Sequence, residues 1–387
     1  QVVKYAARPV GRAAPRGAPR FSRAIAAREL PKLRPIPPRR LRMDLQIALL
    51  LGQDGITNGF IYALLALALV LAFAVTRVIF IPQGEFVAYG ALTLVALQAG
   101  ALPGTLWLLI GCGLLVALID GVAAIRGRQM MRLPAIVGWN LALPLGLWAI
   151  LSVLDPKGLP MALQIALALV VIVPLGPMLY RLAYQPLAGA PVLVLLIVSV
   201  AVHVVMVGLG LFLFGAEGSR TPPFSDGRFE FAGMTISAQT LWVIGCSAAL
   251  ILILYLLFER TLYGKALRAT AVNRLGARLM GIPTTLAGKL SFMLCALIGA
   301  LSGILIAPIT TIYYDTGFLI GLKGFVGAII GGLASYPVAA VGALLVGLLE
   351  SYSSFWASAY KEVIVFTLII PVLLWRSLRT HHVEEEE

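Results

Sequence analysis

Eleven runs of nearly uninterrupted apolar residues organise this chain, at about 54–76, 78–99, 104–125, 134–153, 161–180, 190–214, 239–258, 287–312, 318–333, 337–352 and 360–375. A run near ~20 residues is the length a helix needs to cross the hydrocarbon core of a bilayer. A helix is also one of the few structures that satisfies its own backbone there. Such a chain is expected to be all-α, a polytopic transmembrane helical bundle of about eight to eleven spans with some broken helices. Composition agrees: 60% of the 387 residues are hydrophobic and 12% are charged, against about 45–50% and 25% in soluble domains. A soluble enzyme and a disordered chain are excluded, and little sequence remains for a second domain. The run at 318–333 is short and Gly-rich, which marks a broken or partly inserted helix.

Charge divides the chain into three. Residues 1–42 carry twelve Lys/Arg against Glu29 alone, so +11 of the formal +13 lies there. This Arg-, Ala- and Pro-rich stretch cannot bury a core and is expected to be a disordered basic extension. Three readings fit it: a polybasic arm on anionic lipid, a targeting extension, or sequence upstream of a start at Met43, where the hydrophobic pattern begins. The last is favoured, and residues 1–42 are then no part of the working protein. Residues 43–380 form the membrane domain, and 381–387 a charged tail. The basic excess carries no expectation of nucleic acid. Cys112, Cys246 and Cys295 lie in apolar runs without metal-like spacing and read as packing residues.

Loop charge sets orientation. Arg126, Arg128 and Arg132, the linker 259–289, Arg376 and Arg379, and the turns holding Arg77 and Arg181 fall on one side when spans are counted alternately. By the positive-inside rule that side is cytoplasmic. The turns 100–104, 154–160, 215–238, 313–317 and 353–359 then lie outside. The longest, 215–238, is polar and rich in turn residues, and is either a contact for an external partner or a solvated connection.

The linker contains the most informative stretch. Ala266, Ala269, Val272, Gly276 and Leu279 recur at helical spacing as a small-sided stripe. Lys265, Arg268, Arg274 and Arg278 surround it, and Gly281 and Pro283 stop the helix. A basic helix of this kind suits docking into a groove on a soluble partner; the other reading is a helix lying on lipid.

Ionisable groups at span depth cost about 2.5–3.5 kcal/mol on insertion scales and are functional candidates by default. Glu85 follows Pro82 and Gly84, which reads either as an interrupted helix beside a cavity or as an inter-helix contact. Lys323 either touches a solute or snorkels to the outer surface. Asp120 reads as interfacial, His203 as a hydrogen-bonded core residue, and Glu350 with Lys361 and Glu362 as ties between helix ends. Gly327, Gly331, Gly332, Gly342 and Gly347 read as places of close helix approach. Gly264-Lys265 and Gly288-Lys289 lack the flanking Gly and hydroxyl of a phosphate-binding loop, and no His-Glu-x-x-His occurs. Ser302, in Gly299-Ala300-Leu301-Ser302-Gly303, has the wrong spacing for a nucleophile motif. No catalytic residue, cofactor or metal is expected in this chain.

These motifs resemble a family. Tyr263-Gly264-Lys265-Ala266-Leu267-Arg268-Ala269, Gly281-Ile282, Gly317-Phe318, Gly321-Leu322-Lys323-Gly324-Phe325 and Ile330-Gly331-Gly332-Leu333-Ala334-Ser335-Tyr336-Pro337 occur in order. Gly342 to Glu350, Tyr360-Lys361-Glu362, Asn58-Gly59, Tyr62-Ala63-Leu64, Gly84-Glu85 and Tyr184-Gln185-Pro186-Leu187 extend the match over about 44–378. The chain resembles the inner-membrane permeases of branched-chain amino-acid ABC transporters. That resemblance implies that 262–281 is the coupling helix for separate ABC ATPase subunits, with Lys265, Arg268, Ala269, Asn273, Gly276 and Gly281 at the contact. It makes Asn58, Gln83, Glu85 and Lys323 candidates for the translocation pathway. It implies a bacterial inner-membrane location and three kinds of partner: a second homologous permease, two ATPases and a periplasmic solute-binding protein. The solute would be a branched-chain amino acid or a related small polar molecule such as urea or a short amide.

Two departures stand out: Ile81-Pro82-Gln83 replaces an aromatic-Ala-His, and Asn273 replaces an acid. Residues 104–160 look like an added hydrophobic hairpin. The competing function is an ion-coupled secondary transporter. It would show paired broken helices in inverted repeats, and the sequence shows a Gly-rich break mainly near 318–333 with no convincing second copy.

Overall fold

A computed structural model describes residues 45–129, 131, 133–231 and 234–379; the basic extension 1–42 and the tail 381–387 lie outside the described residues. In chain order the helices are α1 (Leu45–Thr76), α2 (Gln83–Gln98), α3 (Gly104–Arg126), α4 (Leu133–Val153), α5 (Met161–Ile172), α6 (Leu175–Leu179) and α7 (Val192–Phe214). A strand pair follows, β1 (Arg228–Phe231) and β2 (Met234–Ser237). Then come α8 (Ala238–Arg260), α9 (Leu262–Val272), α10 (Arg274–Leu279), α11 (Thr284–Ile306), α12 (Thr316–Ile330), α13 (Tyr336–Ala357), α14 (Lys361–Thr367) and α15 (Ile369–Arg379). Every expected apolar run contains a helix, and among the described residues seven helical stretches are long and apolar enough to cross a membrane. The chain is a polytopic membrane protein.

α1 is the axis of the bundle. It is 32 residues long and begins nine residues before the apolar run expected at 54. Its stretch from Ile61 to Ala72 is buried on all sides, as for a helix at the centre of a bundle rather than on its rim. It packs on α13, α11, α12 and α8. α3, α4, α7 and α8 form the rim and turn Trp107, Leu118, Val204, Phe212 and Ile253 outward. Such exposure is the normal lipid-facing surface of a membrane bundle. α4 packs mainly on α3, so 104–153 forms a hairpin at the edge.

Glycine sets the closeness of the central helices. A Cβ at Gly303 would collide with the Val87 carbonyl, one at Gly176 with that of Phe292, and one at Gly327 with Ala343. Gly331 meets Ala339, Gly342 meets Ile330, and Gly347 meets Gly55 and Gly59. These are the contacts expected of small residues in membrane helices, where packing rather than water drives association. Gly332 differs: it takes a φ of +66° in the turn between α12 and α13.

Two spans are interrupted. α1 stops at Arg77, whose φ of +62° closes the helix, and α2 starts only at Gln83 with 16 residues. α11 stops at Ile306, and α12 starts at Thr316 with 15 residues. The first turns of these short helices cross: a Cβ at Gly84 would strike the backbone of Gly317, and one at Gly321 the backbone of Gly84. Ala88 lies beside Gly317 while Gly84 lies beside Gly321, so the two run antiparallel. The interruption read from Pro82 and Gly84 before Glu85 is present, whereas the break expected within 318–333 is corrected. α12 is intact within itself, and the chain breaks in the extended stretches before α2 and before α12.

The long loop 215–238 is more than a connection. Ser219 pairs with Ile312, and Arg220 donates to the carbonyls of Pro308 (2.9 Å) and Ile309 (2.5 Å). Gln239 donates to Leu305 O at 2.9 Å. The loop thus clamps the extended stretch that leads into α12, and it ends in the strand pair β1–β2.

Candidate functional site

Two clusters of polar groups inside the bundle have opposite character. In the first, Lys323 donates to Glu350 Oε1 at 2.6 Å and lies 3.2 Å from Glu362. Tyr62 donates to Glu350 Oε2 at 2.6 Å. Both Glu350 oxygens are therefore filled, and α12, α13, α14 and α1 are tied at one point. Lys323 is 6% exposed, so it does not snorkel as one reading of the sequence expected. Glu350 and Glu362 join helices, although the partner is Lys323 rather than Lys361. Asn58 sits half-buried one turn before Tyr62 on α1.

The second cluster surrounds Glu85, in the first turn of α2 and fully buried. His203 Nδ1, from α7, lies 3.0 Å from Glu85 Oε1. The imidazole is not aimed along a hydrogen bond, and neither Glu85 oxygen has an aligned donor. The His203 ring stacks on Phe318 of α12, with centroids 4.5 Å apart and planes at 29°. Gln83 donates to Cys295 O at 3.0 Å, and its own Oε1 has no partner. One turn further along α2, Tyr89 donates to Met206 O at 2.6 Å. The expectation that His203 is a hydrogen-bonded core residue is corrected: its ring is held by stacking and by the acid. The pairing escaped the sequence because Glu85 and His203 lie on different helices; the one available signal was that His203 is the only histidine in a span.

Asp120 is paired too. Arg181 donates to it through Nε (2.8 Å) and Nη2 (2.5 Å), joining α3 to the π-helical segment Tyr180–Tyr184 that continues α6.

The stretch expected to be one helix over 262–281 is two. Asn273 leaves helical geometry at φ −146°, ψ 101°, and its Oδ1 caps α10 by accepting from Gly276 N at 2.8 Å. The period of small residues continues across the break, which hid it. Gly276 is needed small, since a Cβ there would press on the Asn273 side chain. Gly281, at φ +81°, and Pro283 end the segment as expected.

This elbow is fastened at both ends. Thr261 caps α9, accepting from Gly264 N at 3.0 Å while its hydroxyl donates to Leu257 O at 2.6 Å. Arg268 donates to Glu259 and to Phe258 O, both at 2.7 Å. Arg274 donates to Ala188 O at 3.0 Å, tying α10 to the turn between α6 and α7. The outer face has no partner among the described residues. Lys265 and Ala269 are exposed there, and the side chains of Val272 (85%), Leu279 (80%) and Met280 (83%) stand clear. That face is bulkier than the small-sided stripe read from the sequence. The elbow is thus hydrogen-bonded to α8 and to the α6–α7 turn.

Residues 140–373 match the family described as "Branched-chain amino acid transport system / permease component". The high-affinity branched-chain amino acid transport system permease protein LivH of Salmonella typhimurium is 25% identical over 333 residues, 83% of this chain and 91% of that protein. LivH of Escherichia coli K12 is 24% identical over 339 residues, with the same coverage. The corresponding permease BraD of Pseudomonas aeruginosa is 29% identical over 230 residues, 58% of this chain and 75% of that protein. No solved structure matches the chain.

Proposed function

The chain belongs to the branched-chain amino-acid transport permease family, and from that premise we propose that it is the membrane-spanning subunit of an ATP-driven ABC importer in a bacterial inner membrane. Its cargo is a branched-chain amino acid, as in the names of its relatives. It works with a second homologous permease, two ATPase subunits and a periplasmic binding protein. The observation that carries this reading is the α9–α10 elbow, with apolar Val272, Leu275, Leu279 and Met280 exposed among Lys265, Arg274 and Arg278. Exposed apolar side chains ringed by basic ones on a rigid projection suit a groove on a soluble protein. Asn273, Gly276 and Gly281 give the elbow its bend.

Transport then follows from two states of the bundle. Nucleotide state in the ATPases favours one position of the elbow, and the fastenings at Arg268 and Arg274 carry that bias into α8 and α7. The crossing of α2 and α12 beside Gln83 and Glu85 is the proposed pathway. Asn58 and Lys323 border it from the α1 side, with Lys323 as an anchor for the surrounding helices. Discontinuous helices of this kind also occur in ion-coupled transporters, so the two readings make opposite predictions about ATP. In proteoliposomes holding the complete transporter, leucine uptake should require ATP inside the ATPase compartment. Uptake by this chain without ATPases would support the ion-coupled reading instead. Val272→Glu or Leu275→Glu should reduce coupled ATP hydrolysis and uptake by about tenfold or more while leaving insertion intact, the size of loss typical of a buried anchor at an interface. Arg268→Glu is a poorer probe, because Arg268 also holds α9 to α8.

A further inference from the structure

Two arginines near the basic linker are matched by acids: Arg181 by Asp120 and Arg268 by Glu259. Arg274 and Arg278, on the side of the elbow that faces the α6–α7 turn, are not. Among the described residues neither lies within ion-pair distance of an acid, and no acidic residue occurs in 260–289 or in 181–192. They stand four positions apart and so share one face of α10. With Leu275, Ala188 and Gly189 they line a cleft of about 320 Å³ between α10 and the turn before α7. Arg274 is half-buried. Its Nη1 donates to Ala188 O at 3.0 Å, whereas its buried Nε has no acceptor among the described residues. Arg278 makes one long contact, 3.4 Å to Thr284 Oγ1. A buried donor left unpaired is costly, and guanidinium groups without a carboxylate are suited to a phosphate.

We propose that this cleft binds the phosphodiester headgroup of an anionic phospholipid. The inference goes beyond the reading of the elbow as an ATPase contact and needs only that the chain crosses a bilayer. Depth favours a lipid over a soluble anion. The span Met161–Leu187 ends immediately before Ala188, and α7 starts at Val192. Ala188 and Gly189 therefore lie where two spans leave the hydrocarbon, at the level of the headgroups. Val192, Leu193 and Val194, the first residues of α7, turn apolar side chains outward, a surface on which acyl chains can lie beside the cleft. Charge favours an anionic headgroup: basic pockets between membrane helices hold such headgroups, and Arg274 Nε and Arg278 supply charge-assisted donors to the phosphate oxygens. A phosphate held there joins α10 to the α6–α7 turn a second time, beside the bond from Arg274 to Ala188. The competing occupant is an acidic side chain of a soluble partner.

The test is native mass spectrometry of the delipidated full chain, titrated with phosphatidylglycerol and separately with phosphatidylcholine. The first phosphatidylglycerol should bind more tightly than the first phosphatidylcholine. Arg278→Gln should weaken that first binding by about fivefold, the worth of one basic group near anionic lipid. A Cβ at Gly189 meets nothing within 4 Å, so Gly189→Glu places a carboxylate beside the arginines and should weaken it at least as much; Gly189→Gln, of the same size, should weaken it less. Arg260→Gln removes an exposed charge outside the cleft and should leave it unchanged. Equal losses in Arg278→Gln and Arg260→Gln would assign the preference to diffuse surface charge and overturn the proposal. Displacement of the lipid by inorganic phosphate would assign the cleft to a free anion and overturn it too. The complete transporter should keep the preference; its loss when the ATPase subunits are bound would give the cleft to the soluble partner instead.

Discussion

Glu350 and Glu85 would look alike on any insertion scale, yet one is held by Lys323 and Tyr62 and the other faces His203 alone. The difference lies in the partners. Lys323 and Glu350 are 27 positions apart, and Tyr62 and Glu350 are 288 apart. The cost of a charge in an apolar run is visible in sequence, so Glu85, Lys323 and Glu350 could be singled out. Their pairing depends on which helices touch and could not be read there. The anchor makes its own prediction. Lys323→Met strips Glu350 of its countercharge while keeping it buried, and should cost about 3–5 kcal/mol. Lys323→Met combined with Glu350→Met removes both charges and should cost much less than the two single changes added. Thermal unfolding in detergent measures this, and strict additivity would mean that the pair is not coupled.

Element boundaries followed the physics that sets them, with informative exceptions. Arg77 sits between the first two apolar runs and Pro82 inside the second, yet hydropathy alone reads 78–99 as one span. The structure gives the extended turn to 77–82 and leaves α2 with 16 residues. The break at Asn273 was masked because Ala269, Val272, Gly276 and Leu279 keep helical spacing through it. Capping is what reveals it: an Asn whose side chain reaches a backbone N–H three residues on starts a new helix. Asn273→Ala should weaken α10 by about 0.5–2 kcal/mol, seen as faster proteolysis between 272 and 281. Asn273→Asp should behave as the original, since Asp caps equally well. Glycine contacts offer a sharper contrast. Gly303→Ala drives a Cβ into the Val87 carbonyl and should destabilise by about 1–3 kcal/mol. Gly245→Ala meets nothing within 4 Å and should be neutral or slightly stabilising, by up to about 1 kcal/mol. Equal effects at the two sites would refute the close-packing account of α2 and α11.

The whole molecule reads as two fastened ends around one crossing. On one side the loop 215–238 holds the stretch before α12 through Ser219 and Arg220. On the other, the α9–α10 elbow is held by Arg268 and Arg274. Between them α2 and α12 cross at Gly84 and Gly317, beside Glu85. The spans and the basic linker were legible in sequence because hydropathy and charge are local properties. The outer clamp and the paired half-helices are tertiary facts with no local signature. The account needs the elbow on the cytoplasmic side, where ATPases can reach it. The direct measurement is labelling of Val272→Cys with a membrane-impermeant maleimide, in a background where Cys112, Cys246 and Cys295 are replaced. Labelling in inside-out vesicles alone, blocked when the ATPase subunits are bound, is the result predicted here; labelling in right-side-out vesicles would contradict it.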